Sequence, residues 1–114
     1  MKRGEIWLIN LDPTIGAEIA KKRPALIVSE DGVGKLPLRI VAPITNWKDH
    51  YALVPWMVPL PSNPETGLDK RSSADCFQVR SISERRIISK IGEADPELVA
   101  RAERGLKAVL GLGD

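Results

Sequence analysis

The sequence predicts a small, mainly β domain, a β-barrel capped by a C-terminal helix. Several short apolar runs are separated by turns rich in proline and glycine, as in barrels built from short strands. One amphipathic helical segment follows near the end of the chain. The length of 114 residues fits one domain with one core, so we expect residues 1–114 to form a single domain.

Five or six short strands are predicted, at residues 5–11, 25–29, 38–45, 51–60, 74–80 and 87–91. Pro24 is placed at the entrance of the second strand, because a proline can begin a strand but donates no ladder bond within it. Pro43 predicts a bulge or an edge near the end of the third strand. Gly32, Gly34 and Pro37 mark the loop before that strand.

The C-terminal segment carries the signals of a capped helix. Asp95 is the predicted N-cap, Pro96 the first helical residue, and apolar residues repeat at helical spacing as far as Gly111. Two charged pairs at i,i+4 spacing support the polar face, Glu97 with Arg101 and Glu103 with Lys107. A single helical turn is also predicted at residues 83–86, between two strands.

The composition excludes several kinds of site. The formal net charge is only +2, so a nucleic-acid footprint requires local clustering of basic residues. Cys76 is the only cysteine and His50 the only histidine, which excludes an intrachain disulfide and a thiolate metal cluster. We expect no metal and no cofactor. No apolar leader or membrane span is evident, and we therefore expect a cytoplasmic protein that does not bind membranes.

Two arginines occupy positions that suit phosphate binding. Arg23 follows two lysines at the mouth of the second predicted strand, where a rigid scaffold commonly presents functional groups. In the strand predicted at 74–80, Phe77 and Val79 face the core, which places Gln78 and Arg80 side by side on the other face. A guanidinium fork matches phosphate geometry and stays charged at physiological pH.

Six segments in order resemble the MazF/PemK family of toxin endoribonucleases. They are RGEIWL at 3–8, LDPT at 11–14 followed by Gly16 and Glu18, RPALIVS at 23–29, VAPIT at 41–45, GLDK at 67–70 and QVRSI at 78–82. The likeness extends from about residue 3 to residue 92, with a compatible helix afterwards. It implies an SH3-like barrel with a C-terminal helix, a fold shared with the gyrase poisons of the CcdB type.

The resemblance implies a sequence-specific, metal-independent ribonuclease that cuts single-stranded RNA, often mRNA. In such a reaction the ribose 2′-OH attacks the adjacent phosphate, which leaves a 2′,3′-cyclic phosphate and a 5′-OH end. The resemblance also implies a homodimer whose RNA groove is covered by an antitoxin protein. The reaction requires a base, a proton donor for the leaving oxygen and cations around the phosphorane.

By position, Arg23 and Thr45 match the catalytic pair of the family. Arg23 is expected to stabilise the phosphorane, and Thr45 to bind the phosphate or orient the 2′-OH. Glu18 matches an acidic position near the site and is the available base, or it holds Arg23 in place. The residues expected to bind RNA are Lys21, Lys22, Asn46, Trp47, His50, Gln78 and Arg80. Trp47 can stack on an unpaired base, and the lysines attract the RNA backbone.

This sequence departs from the family pattern at two positions. Ala17 stands where some members have a histidine, and Phe77 stands where many have an acid before the Gln-x-Arg stretch. The identity of the general base is therefore open. Two alternatives remain on the same barrel, a protein-binding poison like the gyrase inhibitors and an RNA-binding protein without catalysis. The pairing of Arg23 with Thr45 favours the ribonuclease.

Overall fold

The computed structural model describes residues 1–32 and 35–113, and Gly34 of the predicted loop lies outside the described residues. The strands are β1 (Glu5–Asn10), β2 (Lys22–Ile27), β3 (Leu38–Asn46), β4 (Met57–Leu60), β5 (Ser72–Asp75), β6 (Arg80–Ser83) and β7 (Ile87–Glu93), and the helix is α1 (Pro96–Leu110). The chain is thus mainly β with one C-terminal helix, as predicted.

The strands pair in the order β4-β5-β3-β2-β1-β7, and every pairing is antiparallel. The strand β6 pairs with β3 outside this path. The nine residues of β3 therefore serve two neighbours on one side, with β6 along Leu38–Val41 and β5 along Ile44–Asn46. This arrangement of strands is consistent with the predicted SH3-like barrel.

Pro43 lies where β3 changes partner. The pairing with β6 ends at Val41 and the pairing with β5 begins at Ile44, so that Pro43 is paired only with Ala25 of β2. Proline has no N–H to donate. In the gap between the pairing with β6 and the pairing with β5, it therefore removes no strand hydrogen bond on that side of β3. The interruption predicted at Pro43 thus takes the form of a change of partner.

The second strand begins earlier than predicted. Lys22, Arg23 and Pro24 already pair with β1, whereas the pairing of β2 with β3 starts only at Ala25. The sequence prediction placed Pro24 at the entrance of the strand, but β1 supplies a partner for three further residues. Arg23 is therefore fixed on a strand and not at the end of a loop.

Apolar side chains form two clusters. The larger cluster lies under α1 and includes Ile6, Leu26, Ala42, Ile44, Val58, Leu60, Leu68, Ala74, Cys76 and Ala102. The smaller cluster includes Ile9, Leu11, Ala25, Ile27, Val41 and Ile82. Successive residues of β2 and β3 alternate between the two clusters, as the pleat requires.

The helix α1 has the predicted ends. The Asp95 carboxylate accepts a hydrogen bond from the Leu98 N–H at 2.9 Å, and Gly111 ends the helix in the left-handed conformation. Arg101 pairs with Glu97 at 3.2 Å as predicted. Glu103 instead pairs with Arg3 at 2.9 Å, and not with Lys107. Within the described residues, no helix has the length and apolar character that crossing a bilayer requires.

The strand predicted at 51–60 is wrong in its first half. Asp49–Leu53 forms a 3₁₀ turn, and only Met57–Leu60 is extended and paired. The N–H groups of Tyr51 and Val54 donate to carbonyl groups three residues earlier, which closes the turn. The apolar residues of this part are not core residues, since Leu53 is largely exposed.

The strand predicted at 74–80 is also wrong, because a 3₁₀ turn at Cys76–Gln78 divides it into β5 and β6. The Asp75 carboxylate accepts hydrogen bonds from the N–H groups of Phe77 and Gln78, at 3.0 and 3.3 Å, and so caps the turn. The alternation inferred for these residues does not exist. Phe77, assigned to the core, is 62% exposed.

The loop at residues 61–67 packs closely against β7. The Thr66 side chain is 2% exposed, and its hydroxyl donates to the Pro61 carbonyl at 2.7 Å. A Cβ added at Gly92 of β7 would lie 2.3 Å from the Thr66 carbonyl oxygen. The loop can approach β7 this closely only because residue 92 has no side chain.

The contact at Gly92 gives a stability prediction. We expect Gly92→Ala to lower the free energy of unfolding by at least about 2 kcal/mol, because the added methyl group forces the loop away from β7. Gly32→Ala is the matched control, since a Cβ there meets no atom within 4 Å, and its cost should stay within about 0.5 kcal/mol. Equal urea-denaturation midpoints for the two variants would contradict the close approach.

The Asp75 cap gives a second prediction, based on charge. Burial raises the pKa of the Asp75 carboxyl above 3.8, against the lowering effect of hydrogen bonds from Gln78 and Phe77. Between pH 3.8 and the raised pKa, the Asp75 carboxyl is more protonated in the folded protein than in the unfolded chain. The contribution of this group to stability therefore falls as the pH rises from 3.8 through the pKa of the folded state.

We therefore expect Asp75→Asn, which keeps the accepting oxygen and removes the charge, to be at least as stable as the wild type at pH 7. Asp75→Ala removes the cap as well and should lose about 1 kcal/mol. Urea denaturation at pH 7 measures both variants. An asparagine variant as unstable as the alanine variant would show that the capping oxygen does not hold the turn.

Candidate active site

Arg23 is a half-buried arginine on β2. Its Nε donates to the Ala20 carbonyl at 3.0 Å, which fixes the side chain close to its own strand. The ion pairs among the described residues do not include Arg23. Its terminal N–H groups therefore have no carboxylate partner in the part of the chain that the structure describes, and a guanidinium in this state suits an anionic ligand.

Thr45 lies on β3, the strand that pairs with the strand of Arg23. Ala25 of β2 pairs with Pro43 of β3. Arg23 lies two residues before Ala25, and Thr45 lies two residues after Pro43. Residues two apart in a strand share a face, so the two side chains point to the same side of the sheet. The structure brings together the two residues that the resemblance named as a catalytic pair.

The two residues line one cavity of about 250 Å³, here called the small cavity. Its walls come from β2, β3, the loop before β5 and the start of β5. The lining residues are Arg23, Pro24, Ile44, Thr45, Asn46, Leu68, Asp69, Lys70 and Ser72. The predicted RNA-binding residue Asn46 is therefore part of the same site.

Asp69 and Lys70 were not among the predicted site residues. They follow Leu68, whose side chain is buried in the larger apolar cluster and whose carbonyl accepts from the Ser62 hydroxyl at 2.6 Å. A fixed residue thus immediately precedes the two charged ones. The segment GLDK at 67–70 was part of the resemblance, but no spacing or alternation in the sequence assigned its charged residues to the site.

A larger cavity of about 640 Å³ lies beside the first, here called the large cavity. It is lined by Ala17, Glu18, Ile19, Pro43, Phe77, Gln78, Val79 and Arg80. Pro43 belongs to the large cavity, whereas the next three residues of β3 line the small cavity. The two cavities therefore follow each other along β3.

Glu18 lies in the large cavity and not in the small one. Its carboxylate accepts a hydrogen bond from the Ile15 N–H at 2.6 Å, and the side chain is exposed. It makes no ion pair with Arg23 among the described residues, so it does not hold that arginine in place.

Gln78 holds the loop that carries Glu18. Its side-chain oxygen accepts from the Ile19 N–H at 2.6 Å, and its side-chain nitrogen donates to the Ala17 carbonyl at 3.2 Å. Gln78 and Arg80 do share a cavity, although the strand alternation that predicted it is absent. Arg80 donates to the Leu11 carbonyl at 3.2 Å, and this bond fixes the guanidinium at the cavity wall.

An aromatic cluster follows the end of β3. The rings of Trp47 and Tyr51 meet edge to face with their centroids 5.8 Å apart. The centroids of the His50 and Tyr51 rings are 4.7 Å apart. The Arg71 guanidinium lies 4.6 Å from the centroid of the Trp47 ring. Trp47 and the exposed His50 line neither cavity, but Asn46 connects them to the small one.

Lys21 and Lys22 also lie outside both cavities. Both side chains are exposed. Lys21 has a φ of 73°, and its N–H donates to the Asp12 carboxylate at 3.0 Å. The backbone of this segment is therefore fixed while the ammonium groups stay in solvent, close in sequence to Arg23.

Cys76 is not placed for nucleophilic chemistry. Burial and the neighbouring Asp75 raise the pKa of its thiol to about 12, so it stays protonated at neutral pH. Within residues 1–32 and 35–113, no three histidine, cysteine, aspartate or glutamate side chains cluster as metal ligands. The residues that line the small cavity carry a guanidinium, an ammonium, a carboxylate and a hydroxyl group. Together these groups can bind a phosphate ester.

Sequence comparisons identify relatives over the whole length. A sequence model of the PemK-like, MazF-like toxins of type II toxin–antitoxin systems matches residues 2–110. Endoribonuclease MazF9 of Mycobacterium tuberculosis is 35% identical over 118 aligned positions, which cover 98% of each chain. Endoribonuclease EndoA of Bacillus subtilis is 30% identical, with 100% of this chain and 97% of that protein covered.

Solved structures agree with these relatives. MazF of Deinococcus radiodurans superposes with a TM-score of 0.81 at 26% identity, and the match covers 98% of this chain and 97% of the other. A MazE–MazF structure from the same organism gives a TM-score of 0.73 at 26% identity, with 99% and 97% covered. The chain therefore belongs to the family of PemK-like, MazF-like toxins of type II toxin–antitoxin systems.

Proposed function

We propose that this protein is the toxin of a type II toxin–antitoxin system and an endoribonuclease that cleaves single-stranded RNA, including mRNA, without a metal ion. The observation that carries the proposal is the small cavity, which is lined both by Arg23 of β2 and by Thr45 of the adjacent strand β3. The relatives named as endoribonucleases support it, because they match over the full length of the chain.

The proposed reaction takes place on the RNA itself. The ribose 2′-oxygen attacks the adjacent phosphorus, the bond to the 5′-oxygen breaks, and the products carry a 2′,3′-cyclic phosphate and a 5′-OH. Arg23 places positive charge where the phosphorane oxygens become more negative, and Thr45 donates a hydrogen bond to the same phosphate or orients the 2′-OH. The resemblance implies Glu18 as the base, but Glu18 lines the large cavity and not the small one.

The proposed RNA path runs along β3. The large cavity lies on one side of the small cavity and has the size to hold unpaired bases, with Arg80 on its wall. Asn46, Trp47 and His50 lie on the other side, where an indole ring can stack on a base. Lys21 and Lys22 attract the phosphate backbone. Gln78 acts through the loop that it holds, since both ends of its amide bind backbone groups.

We further propose that the protein is a homodimer in the cytoplasm, with residues 1–114 as its single toxin domain, and that an antitoxin protein covers its RNA groove. The support for the antitoxin is the MazE–MazF assembly of D. radiodurans, since that MazF shares this fold and 26% of its residues. Exposed apolar side chains such as Phe77 and Ile15 near the large cavity offer contact area to a protein partner.

The proposal predicts cleavage of a long RNA in the presence of EDTA. We expect discrete cuts with 5′-OH ends, and a loss of about 10²–10³-fold in rate for Arg23→Ala because the phosphorane loses its cation. Arg104→Ala, an exposed arginine on α1, is the matched control and should cut normally. Arg23→Ala should melt within a few degrees of the wild type, which separates a catalytic role from a structural one.

Two results would contradict the proposal. A folded wild-type protein that cuts no RNA in a panel of long transcripts would favour an RNA-binding or gyrase-binding protein on the same fold. A strongly destabilised Arg23→Ala variant would make Arg23 a structural residue. End mapping by primer extension, together with thermal unfolding of each variant, distinguishes these outcomes.

A further inference from the structure

Among the described residues, three with ionisable side chains line the small cavity, and they differ in chemistry. Arg23 is a guanidinium, Asp69 a carboxylate and Lys70 an ammonium. The other lining residues are apolar, amide or hydroxyl side chains. The charged residues that line this cavity thus come from β2 and from the loop before β5.

The proposed cleavage needs three different groups. It needs a base for the 2′-OH proton, an acid for the 5′-oxygen and a permanent cation for the phosphorane. A carboxylate is the base of this set at neutral pH, and an ammonium releases a proton more readily than a guanidinium does. The three ionisable groups of the cavity match the three requirements one to one.

From this match, and resting on the proposed function, we infer that Asp69 is the general base and Lys70 the general acid of the RNA cleavage. The 2′-O–H bond breaks and its proton passes to an Asp69 carboxylate oxygen while the 2′-oxygen bonds to phosphorus. The P–O5′ bond then breaks, and its electron pair takes a proton from the Lys70 ammonium. Arg23 keeps its protons throughout.

The position of Glu18 agrees with this assignment. Glu18 accepts a hydrogen bond from the Ile15 N–H and lines the large cavity, whereas Asp69 lines the cavity of Arg23 and Thr45. Glu18 is then a residue that shapes its loop. Ala17 and Phe77 leave the identity of the general base open in the sequence. The inferred base, Asp69, lies in a different segment of the chain.

The placement of the pair is rigid. Thr66 closes its loop through the hydrogen bond to Pro61, and the Gly67 N–H donates to the Asn63 carbonyl at 2.9 Å. Leu68 is anchored in the core, and Ser72 begins β5. Asp69 and Lys70 are thus held between two fixed points, as acid–base groups must be if their reacting atoms are to stay within reach of the substrate.

The test uses an oligonucleotide that contains the strongest cut mapped in the long RNA. Single-turnover rates are measured between pH 5 and 9 for Asp69→Asn, Glu18→Gln and Glu97→Gln, the last being an exposed carboxylate on α1 that serves as a charge control. We expect Asp69→Asn to lower the cleavage rate at neutral pH by about 10²–10⁴-fold. The decrease of the wild-type rate at acidic pH, here called the acidic limb, should be absent in this variant. Asp69→Glu should retain that acidic limb at a reduced rate.

The acid is tested with a second substrate, in which sulfur replaces the 5′-oxygen at the cut. A thiolate leaves without a proton, so the defect of Lys70→Gln, about 10²-fold or more on the normal RNA, should disappear on the sulfur substrate. The defect of Arg23→Ala should remain. Lys107→Gln on α1 is the matched control. A merely structural role of Lys70 would leave both substrates equally slow.

Several outcomes would overturn the inference alone. They are an Asp69→Asn variant that cuts within about threefold of the wild type, a Glu18→Gln variant that loses the acidic limb instead, and a Lys70→Gln defect that sulfur does not relieve. In each case the wild type still cuts and still depends on Arg23. A wild type that cuts no RNA is a different result, which overturns the proposed function itself.

Discussion

The change of partner along β3 is the constraint on which the site depends. One side of β3 pairs with β6 as far as Val41 and with β5 from Ile44 onward, and Pro43 occupies the gap. A proline fits there because no N–H is required, and an ordinary residue would leave a donor in the gap without a strand partner. Pro43 lines the large cavity and the next three residues of β3 line the small cavity, so the boundary between the two cavities falls at this change of partner.

A second constraint is the close approach of the loop at 61–67 to β7. The loop reaches this position only because Gly92 has no side chain, and the residues that follow it include Asp69 and Lys70, which line the same cavity as Arg23. Residues from distant parts of the sequence thus form one small charged cavity on a rigid base. Leu68, which follows this loop, is buried in the larger apolar cluster.

The sequence predicts well what local chemistry determines. The capped helix from Pro96 to Leu110 and the strands at β1 and β3 follow from caps, turns and apolar runs within a few residues. The predicted strand at 74–80 fails because the Asp75 side chain binds the N–H groups of Phe77 and Gln78 and so replaces the strand by a turn.

Some residues of the site could likewise be predicted from the sequence, and others could not. Arg23 and Thr45 were found because a family resemblance carries their positions, and the register of β2 with β3 brings them together. Asp69 and Lys70 were not found, since their place depends on the contact between a loop and Gly92, about 25 positions away in the sequence. Neither strand alternation nor helical periodicity reports such a contact, and it becomes visible only in the folded chain.

In the proposed complex, the scissile phosphate binds between Arg23 and Thr45. The most direct measurement is a crystal structure of the wild-type protein with an RNA that carries a 2′-deoxyribose at the mapped cut, which cannot react. We expect oxygens of that phosphate at about 3 Å from the Arg23 guanidinium and the Thr45 hydroxyl. A phosphate bound instead at Arg80 in the large cavity, with the small cavity empty, would contradict it.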